Sequence, residues 1–189
     1  MDANATVAQC RARLAELIKE HALRFGDFTL ASGRKSTYFI DGKLVTLQSE
    51  GAYCLARCIL DMIGHTEVEA VGGMTIGADP IAGAVVALAG ASGRDLLGFL
   101  VRKQQKDHGT RKQVEGPIAE GAKVIMLEDV VTTGGSTLDA IEAMEREKDA
   151  EVLGVIAMVD RLQGAEENLA AKGYKLQSVF TIAELGVKV

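Results

Sequence analysis

The sequence predicts one α/β domain, built on a central parallel sheet with helices on both faces. From about residue 68 onward, short apolar runs alternate with segments in which apolar residues recur at helical spacing. Apolar runs with few polar interruptions are typical of strands buried on both faces, as in parallel sheets. The chain has 189 residues, the size of one domain, and no linker or internal repeat divides it.

The N-terminal part follows another pattern. Apolar residues between Val7 and Ile18 recur at helical spacing and predict a helix over about 5–22. Alternating apolar residues on either side of the turn 32–35 predict a hairpin over 27–41. A second helix is predicted over about 49–63. The first helix and the hairpin form a small N-terminal element that precedes the sheet.

The rest of the chain alternates between strands and helices. Strands are predicted at Val68–Val71, Leu96–Val101, Val124–Leu127, Val152–Val159 and Val179–Ile182, with helices from about Asp79, from Ser136 and over about 164–171. The segment 102–121 has hardly any apolar residues and is predicted to be a functional or mobile connection. Because ligands of such sheets bind at the carboxyl ends of the strands, the segments after these strands hold the candidate site.

Composition excludes several classes of function. The net charge is −5 and aromatic residues make up 4% of the chain, which argues against a nucleic-acid partner. The longest apolar run, Ile81–Ala91, is too short to cross a membrane, so we expect a soluble cytoplasmic protein without a membrane partner. Cys10, Cys54 and Cys58 do not cluster with histidines as a zinc site requires, and are interpreted as small buried hydrophobic residues in a reducing compartment.

The sharpest motif joins a buried strand to two acids and a loop of small residues. Glu128 and Asp129 follow the strand, and the loop Thr132–Ser136 leads into a helix, where backbone N–H groups suit a phosphate. Carboxylates beside an anion site are explained if they hold sugar hydroxyls or Mg²⁺, or stabilise positive charge developing on a sugar. The alternative is an ordinary helix N-cap with acids as chance neighbours. P-loop and dinucleotide-binding fingerprints are absent.

Two further segments carry positive charge at strand ends. Residues 102–112 contain five Lys and Arg residues and a single acid, Asp107, and this run is either a solvated face or a cationic lid over a pyrophosphate. Arg161 follows another strand. Its planar guanidinium suits a planar anion that accepts two hydrogen bonds, and the alternative is a surface arginine paired with Asp160.

The segment Val124–Ser136 resembles the phosphoribosyl pyrophosphate (PRPP) signature of the type I phosphoribosyltransferases, and the match is complete. The hairpin Phe28–Asp41, the loop Val101–Gly109 and the strand end Val159–Arg161 resemble the hood, the mobile catalytic loop and the orotate-binding strand end of orotate phosphoribosyltransferases. The resemblance runs in register from Phe25 to Ile182.

The resemblance implies a type I phosphoribosyltransferase fold in one domain over 1–189, with a hood over about 1–45 and a core over about 46–189. It implies transfer of 5-phosphoribosyl from PRPP to N1 of orotate, without a covalent nucleophile, in pyrimidine biosynthesis. The implied catalytic residues are Lys106, Asp129 and Glu128. The implied PRPP-binding residues are Arg102, Lys103, Lys106, His108, Glu128, Asp129, Val130, Val131, Thr132, Thr133, Gly134, Gly135 and Ser136. The implied orotate-binding residues are Thr132 and Arg161.

The resemblance also implies Mg²⁺, held mostly by water and PRPP oxygens rather than by a protein cage, and a homodimer in which the catalytic loop reaches the neighbouring subunit. The segment Gly72–Asp79 matches the family's pyrophosphate loop in position. Some members carry lysine where this chain has Ala31 and Gly77. Whether Lys35 substitutes for them is left open by the sequence.

Overall fold

The structure is a computed structural model that describes residues 5–29, 35–103 and 112–188. Helix α1 (Val7–Leu17) begins with a capping box, in which the Thr6 hydroxyl accepts from the Gln9 backbone N–H and the Gln9 side chain accepts from the Thr6 N–H. A π-helical turn (Ile18–Ala22) continues it. Strands β1 (Leu23–Thr29) and β2 (Lys35–Ile40) then pair antiparallel, which confirms the predicted hairpin.

The remaining elements follow the predicted order, with one short helix and one short strand in addition to those predicted. They are α2 (Lys43–Thr46), α3 (Ser49–Ile63), β3 (Ala70–Met74), α4 (Asp79–Ala91), β4 (Leu97–Val101), β5 (Val114–Glu115), β6 (Lys123–Val131), α5 (Gly135–Lys148), β7 (Glu151–Asp160), α6 (Ala165–Ala170) and β8 (Leu176–Thr181). The main sheet has the order β5-β4-β3-β6-β7-β8, and every pairing in it is parallel except β4 with β5. Among the described residues, no helix combines the length and apolar character needed to cross a bilayer.

The structure differs from the predicted elements in several places. The last strand, β8, runs over Leu176–Thr181 rather than 179–182. Strand β6 continues to Val131 rather than ending at Leu127, because its carboxyl half stays paired with β7. The third strand runs over Ala70–Met74 rather than 68–71. Part of the segment predicted as an unstructured connection forms β5, an edge strand anchored by the buried side chain of Val114.

Apolar side chains cover both faces of the main sheet. Helices α1, α3 and α4 contribute to one cluster, which includes Leu14, Ile59 and Ile81. Helix α5 packs its buried residues on the other face, where Phe99 lies. The layered arrangement leaves the carboxyl ends of the central strands open, as expected for a ligand site.

The three cysteines lie in the first of these clusters. All of them are buried, and none forms a disulfide bond with another. Burial raises the pKa of Cys54 to about 12 and that of Cys58 to about 11, so both stay protonated at neutral pH. They pack as small apolar residues, as predicted.

Candidate active site

A cavity of about 500 Å³ opens at the carboxyl ends of β3, β4 and β6. It is lined by Lys43, Met74, Thr75, Ile76, Gly77, Lys103, Glu128, Asp129 and Ser136. A neighbouring cavity of about 460 Å³ shares Met74, Lys103 and Ser136 with it and extends along α5. The structure therefore brings the predicted acids, one predicted cation and the end of the predicted phosphate loop to a single place.

Glu128 is buried in the carboxyl half of β6 and is hydrogen-bonded to α5. Its Oε2 accepts from the Thr137 hydroxyl at 3.0 Å. Burial and, next, the neighbouring Asp129 carboxylate raise the pKa of Glu128 to about 7, against the opposing effects of Thr137 and Lys103. Near neutral pH this side chain is therefore present both as an acid and as a carboxylate, and it can donate to or accept from a sugar hydroxyl.

Asp129 is buried and is packed between two glycines. A Cβ added at Gly42 would lie 2.9 Å from its Oδ2, and a Cβ added at Gly77 would lie 2.5 Å from its Oδ1. Burial raises the pKa of Asp129, while hydrogen bonding from the Val130 backbone and the charge of Lys43 oppose that shift. Glycines at both positions therefore give the carboxylate its room at the cavity wall.

The loop from Thr132 to Ser136 leads from β6 into the first turn of α5. Gly134 takes a left-handed conformation (φ 78°) that favours glycine, and no side chain caps the helix. The Asn168 amide donates to the Thr133 carbonyl at 2.9 Å and ties the loop to α6. The first N–H groups of a helix have no partner within that helix, so this loop has the donors that a phosphate requires.

Two predicted PRPP-binding residues contribute no polar side chain. Val131 is buried in a small cluster with Ala157 and Ala165, and Val130 packs against the larger core. Any contact that Val130 or Val131 makes with a ligand would therefore be through the backbone.

Arg161 is buried at the end of β7 and does not pair with Asp160. Its Nε donates to the Tyr38 hydroxyl at 3.0 Å, and its guanidinium carbon lies 4.7 Å from the centre of the Tyr38 ring. Asp160 instead accepts from the backbone N–H of Leu162. The Nη2 atom of Arg161 is buried without a hydrogen-bond partner in the part of the chain that the structure describes. A buried guanidinium with a neutral partner and an unused donor favours an anionic ligand.

The cations predicted to bind PRPP from the segment after β4 differ in their positions relative to the cavity. Lys103 lines both cavities. Arg102 is paired with Glu115, Nε to Oε1 at 3.1 Å, and does not line the cavity beside the acids. Lys106 and His108 lie outside the described residues, as does Ala31. Lys35, at the start of β2, is exposed and does not line the cavity.

Sequence reasoning gave no role to three residues at this site: Tyr38, Lys43 and Thr137. Tyr38 and Lys43 reach the site from the N-terminal part of the chain. No local pattern distinguishes these two from other residues of the hairpin and α2. Thr137 directly follows Ser136 in the sequence, but its hydrogen bond joins it to Glu128, nine residues earlier, which no local pattern indicates.

Among the described residues that line the cavity, the anionic oxygen ligands are the carboxylates of Glu128 and Asp129. In the ranges 5–29, 35–103 and 112–188, no cluster of three His, Cys, Asp or Glu side chains is arranged to hold a metal ion. Oxygen ligands suit Mg²⁺, which usually keeps several waters and binds through one or two carboxylates together with substrate phosphates. Glu128 and Asp129 fit that chemistry.

The fold and its site define a type I phosphoribosyltransferase: a parallel sheet, an N-terminal hairpin over the strand ends, and an acid pair followed by a phosphate loop. No protein-family model matches the chain. An orotate phosphoribosyltransferase of Rhodopirellula baltica is 46% identical over 183 residues, which is 94% of this chain and 94% of that protein. The chain belongs to the orotate phosphoribosyltransferase family.

Solved structures agree with that assignment. The crystal structure of Mycobacterium tuberculosis H37Rv orotate phosphoribosyltransferase superposes with a TM-score of 0.82 and 38% identity, covering 94% of this chain and 99% of that one. A second structure of that protein, in complex with PRPP, gives a TM-score of 0.79 and 35% identity with the same coverage. The predicted fold class and family are confirmed.

Proposed function

We propose that this chain transfers the 5-phosphoribosyl group of PRPP to N1 of orotate and releases pyrophosphate, in the synthesis of pyrimidine nucleotides. The bond from N1 to C1 of the ribose forms, the bond from C1 to the diphosphate oxygen breaks, and the proton of N1 is released for the departing pyrophosphate to accept. The observation that carries the proposal is the acid pair Glu128–Asp129 on the wall of the cavity, directly before the loop Thr132–Ser136.

The acids would bind the ribose and stabilise the reacting sugar. As C1 loses its leaving group, the ribose takes on positive charge, and a carboxylate in a site with little water stabilises that charge more than it would in solution. Asp129 lies on the cavity wall between Gly42 and Gly77, where its carboxylate would serve this role. Glu128, with a pKa of about 7, would exchange hydrogen bonds with the ribose hydroxyls.

The phosphate loop would fix the other end of the substrate. Backbone N–H groups of Thr132–Ser136 would bind the 5-phosphate at the N-terminus of α5. We also assign Thr132 a contact with orotate, as the resemblance implies.

Arg161 would bind the base. Its buried Nη2 is an unused donor, and orotate has a carboxylate and ring carbonyls as acceptors. A neutral base that lacks the carboxylate would leave the positive charge of Arg161 buried without a counter-ion. The energetic cost of that unpaired charge weakens the binding of such a base. Orotate is therefore favoured over uracil.

The cationic segment after β4 would bind the departing pyrophosphate. We assign this role to Lys103, Lys106 and His108, with Lys106 neutralising or protonating the leaving group. Arg102 would join them only by giving up its pairing with Glu115. We propose a homodimer in which Lys106 serves the neighbouring subunit's site.

Mg²⁺ would enter with PRPP and be held near Asp129 and Glu128 by the substrate's oxygens and water. When bound, it supplies charge neutralisation for the diphosphate. The three buried cysteines form no disulfide bond with one another, which supports a reducing compartment, and we assign the enzyme to the cytoplasm.

Pyrophosphate release tests the proposal. The purified protein is incubated with PRPP and Mg²⁺, alone and with orotate, uracil, adenine or hypoxanthine in separate reactions. We expect release that depends on orotate, with orotidine 5′-monophosphate formed in equal amount. Turnover with a purine or uracil but not with orotate would contradict the assignment of the base, and no turnover with any base would contradict the reaction.

A further inference from the structure

Lys43 is a cation on the cavity wall that comes from the connection between the hairpin and α3. Its Nζ lies 2.6 Å from Asp41 Oδ1, and its backbone N–H donates to the same oxygen at 3.1 Å. The ion pair with Asp41 raises the pKa of Lys43, so the ammonium stays charged at neutral pH. The side chain is 41% exposed and lines the cavity beside Gly77 and Asp129.

The turn after β3, which lines the cavity over Met74–Gly77, contributes no charged side chain. PRPP carries a phosphate and a diphosphate, and an anion of this kind requires cations or N–H donors around it. Among the described residues that line this cavity, the lysines are Lys43 and Lys103. Lys103 follows β4, whereas Lys43 lies close enough to β6 for its charge to act on Asp129.

The pairing of Lys43 with Asp41 can be exchanged at low cost. Both side chains are partly exposed, and ion pairs of this kind contribute little to stability. A diphosphate carries more charge than one carboxylate and offers more acceptor oxygens. Transfer of the Lys43 ammonium from Asp41 to a diphosphate is therefore favourable, and it needs only side-chain motion.

We propose that Lys43 is a substrate-binding residue that contacts the diphosphate of PRPP beside Gly77, with Asp41 holding the ammonium in the free enzyme. The inference rests on the proposed function, since it takes PRPP as the substrate. The turn Met74–Gly77 has no charged side chain, and Lys43 of α2 would supply the positive charge at this part of the cavity.

Four variants test it, with the dissociation constant of PRPP measured by calorimetry in the presence of Mg²⁺ and KM measured for both substrates. Lys43→Met should raise the dissociation constant and the KM of PRPP about tenfold or more, and leave the KM of orotate nearly unchanged. Lys43→Arg should restore most of the binding because it keeps the charge.

Asp41→Asn keeps the oxygen that accepts from the backbone of Lys43 and weakens the ion pair, so it should bind PRPP at least as tightly as the unmodified protein. Lys175→Met is the matched control, because Lys175 is exposed and precedes β8 at the opposite edge of the sheet.

Three outcomes would contradict the proposed role of Lys43. Unchanged PRPP binding in folded Lys43→Met would overturn the inference, as would a rise in the KM of orotate alone. If Asp41→Asn weakens PRPP binding as much as Lys43→Met does, the lysine acts only by holding its loop, and the inference fails. Lys43→Gln takes the place of Lys43→Met if the latter does not fold. Failure of the proposed function is a separate outcome, since the unmodified protein would then release no pyrophosphate with orotate.

Discussion

The backbone of Gly77 lies directly against the carboxylate of Asp129. A Cβ added at Gly77 would be 2.5 Å from Asp129 Oδ1 and 3.1 Å from Cγ. Gly77 is also one of the positions at which some members of the family carry lysine. In this chain the close approach explains the glycine, because a side chain at 77 and the observed position of the Asp129 carboxylate exclude each other.

Gly77→Ala is therefore expected to displace the Asp129 carboxylate while the fold is retained. The displaced group is the end of a side chain, so the strain is relieved by rotation, and we expect kcat to fall about tenfold or more with little change in the melting temperature. Steady-state kinetics and thermal unfolding measure the two effects. Gly90→Ala is the matched control, since a Cβ there meets nothing within 4 Å in α4, and it should leave kcat unchanged. A Gly77→Ala variant with normal turnover would contradict this account of the contact.

Arg161→Ala should act on orotate and spare PRPP. Removing a charge-assisted contact costs about 1.5–3 kcal/mol, so we expect the KM of orotate to rise about ten- to a hundredfold while that of PRPP changes little. Initial rates with each substrate varied in turn measure both constants. Equal effects on the two substrates would contradict the assignment of Arg161 to the base.

Tyr38→Phe tests how the hairpin contributes to this contact. The ring would stay under the guanidinium, and only the hydroxyl that accepts from Arg161 Nε would be lost. We expect the KM of orotate to rise about three- to tenfold, less than in Arg161→Ala, with the KM of PRPP unchanged. If the double variant Tyr38→Phe with Arg161→Ala is no worse than Arg161→Ala alone, the tyrosine acts through the arginine. Additive losses would show instead that Tyr38 acts independently of Arg161.

The raised pKa of Glu128 predicts a pH-dependent stability. The pKa is about 7 in the folded protein against an ordinary value of 4.5, so between these values the folded protein keeps a proton that the unfolded chain has lost. The free energy of unfolding therefore falls as the pH rises through this window, by about 3 kcal/mol at most from this group. The glutamine in Glu128→Gln does not titrate. The free energy of unfolding of this variant, minus that of the unmodified protein, should therefore increase from about pH 5 to about pH 8. Urea denaturation across this range measures the difference, and a difference that is independent of pH would contradict the prediction.

Complementation between inactive variants tests the shared site. Lys106→Ala and Asp129→Asn should each be nearly inactive. If Lys106 acts on the neighbouring subunit and Asp129 on its own, random mixing yields hybrid dimers in half of the population, each with one intact site. Roughly a quarter of the normal activity should then return after reversible dissociation. If both residues serve the same site, every site in a hybrid carries one lesion, and mixing restores nothing.

Several parts of this protein follow from the sequence alone. The helix predicted over 49–63 has those bounds in the structure, because its apolar spacing is a local property of the chain. The order of strands and helices follows for the same reason. The loop Thr132–Ser136 could also be located from the sequence, since a glycine-rich turn between a buried strand and a helix involves only consecutive residues.

The tertiary structure decided what depends on residues far apart in the chain. Pairing with β7 extends β6 to Val131, so the two acids lie within a strand rather than after one. Arg161 is separated by 123 residues from Tyr38, yet the two are hydrogen-bonded, and Lys43 reaches a cavity whose other walls begin some thirty residues later. The spacing of apolar residues along the chain predicts helices and strands. The contact between Arg161 and Tyr38 and the position of Lys43 at the cavity arise only when the hairpin packs over the strand ends. The sequence therefore determined which chemistry the protein carries, and packing between distant segments decided which residues surround it.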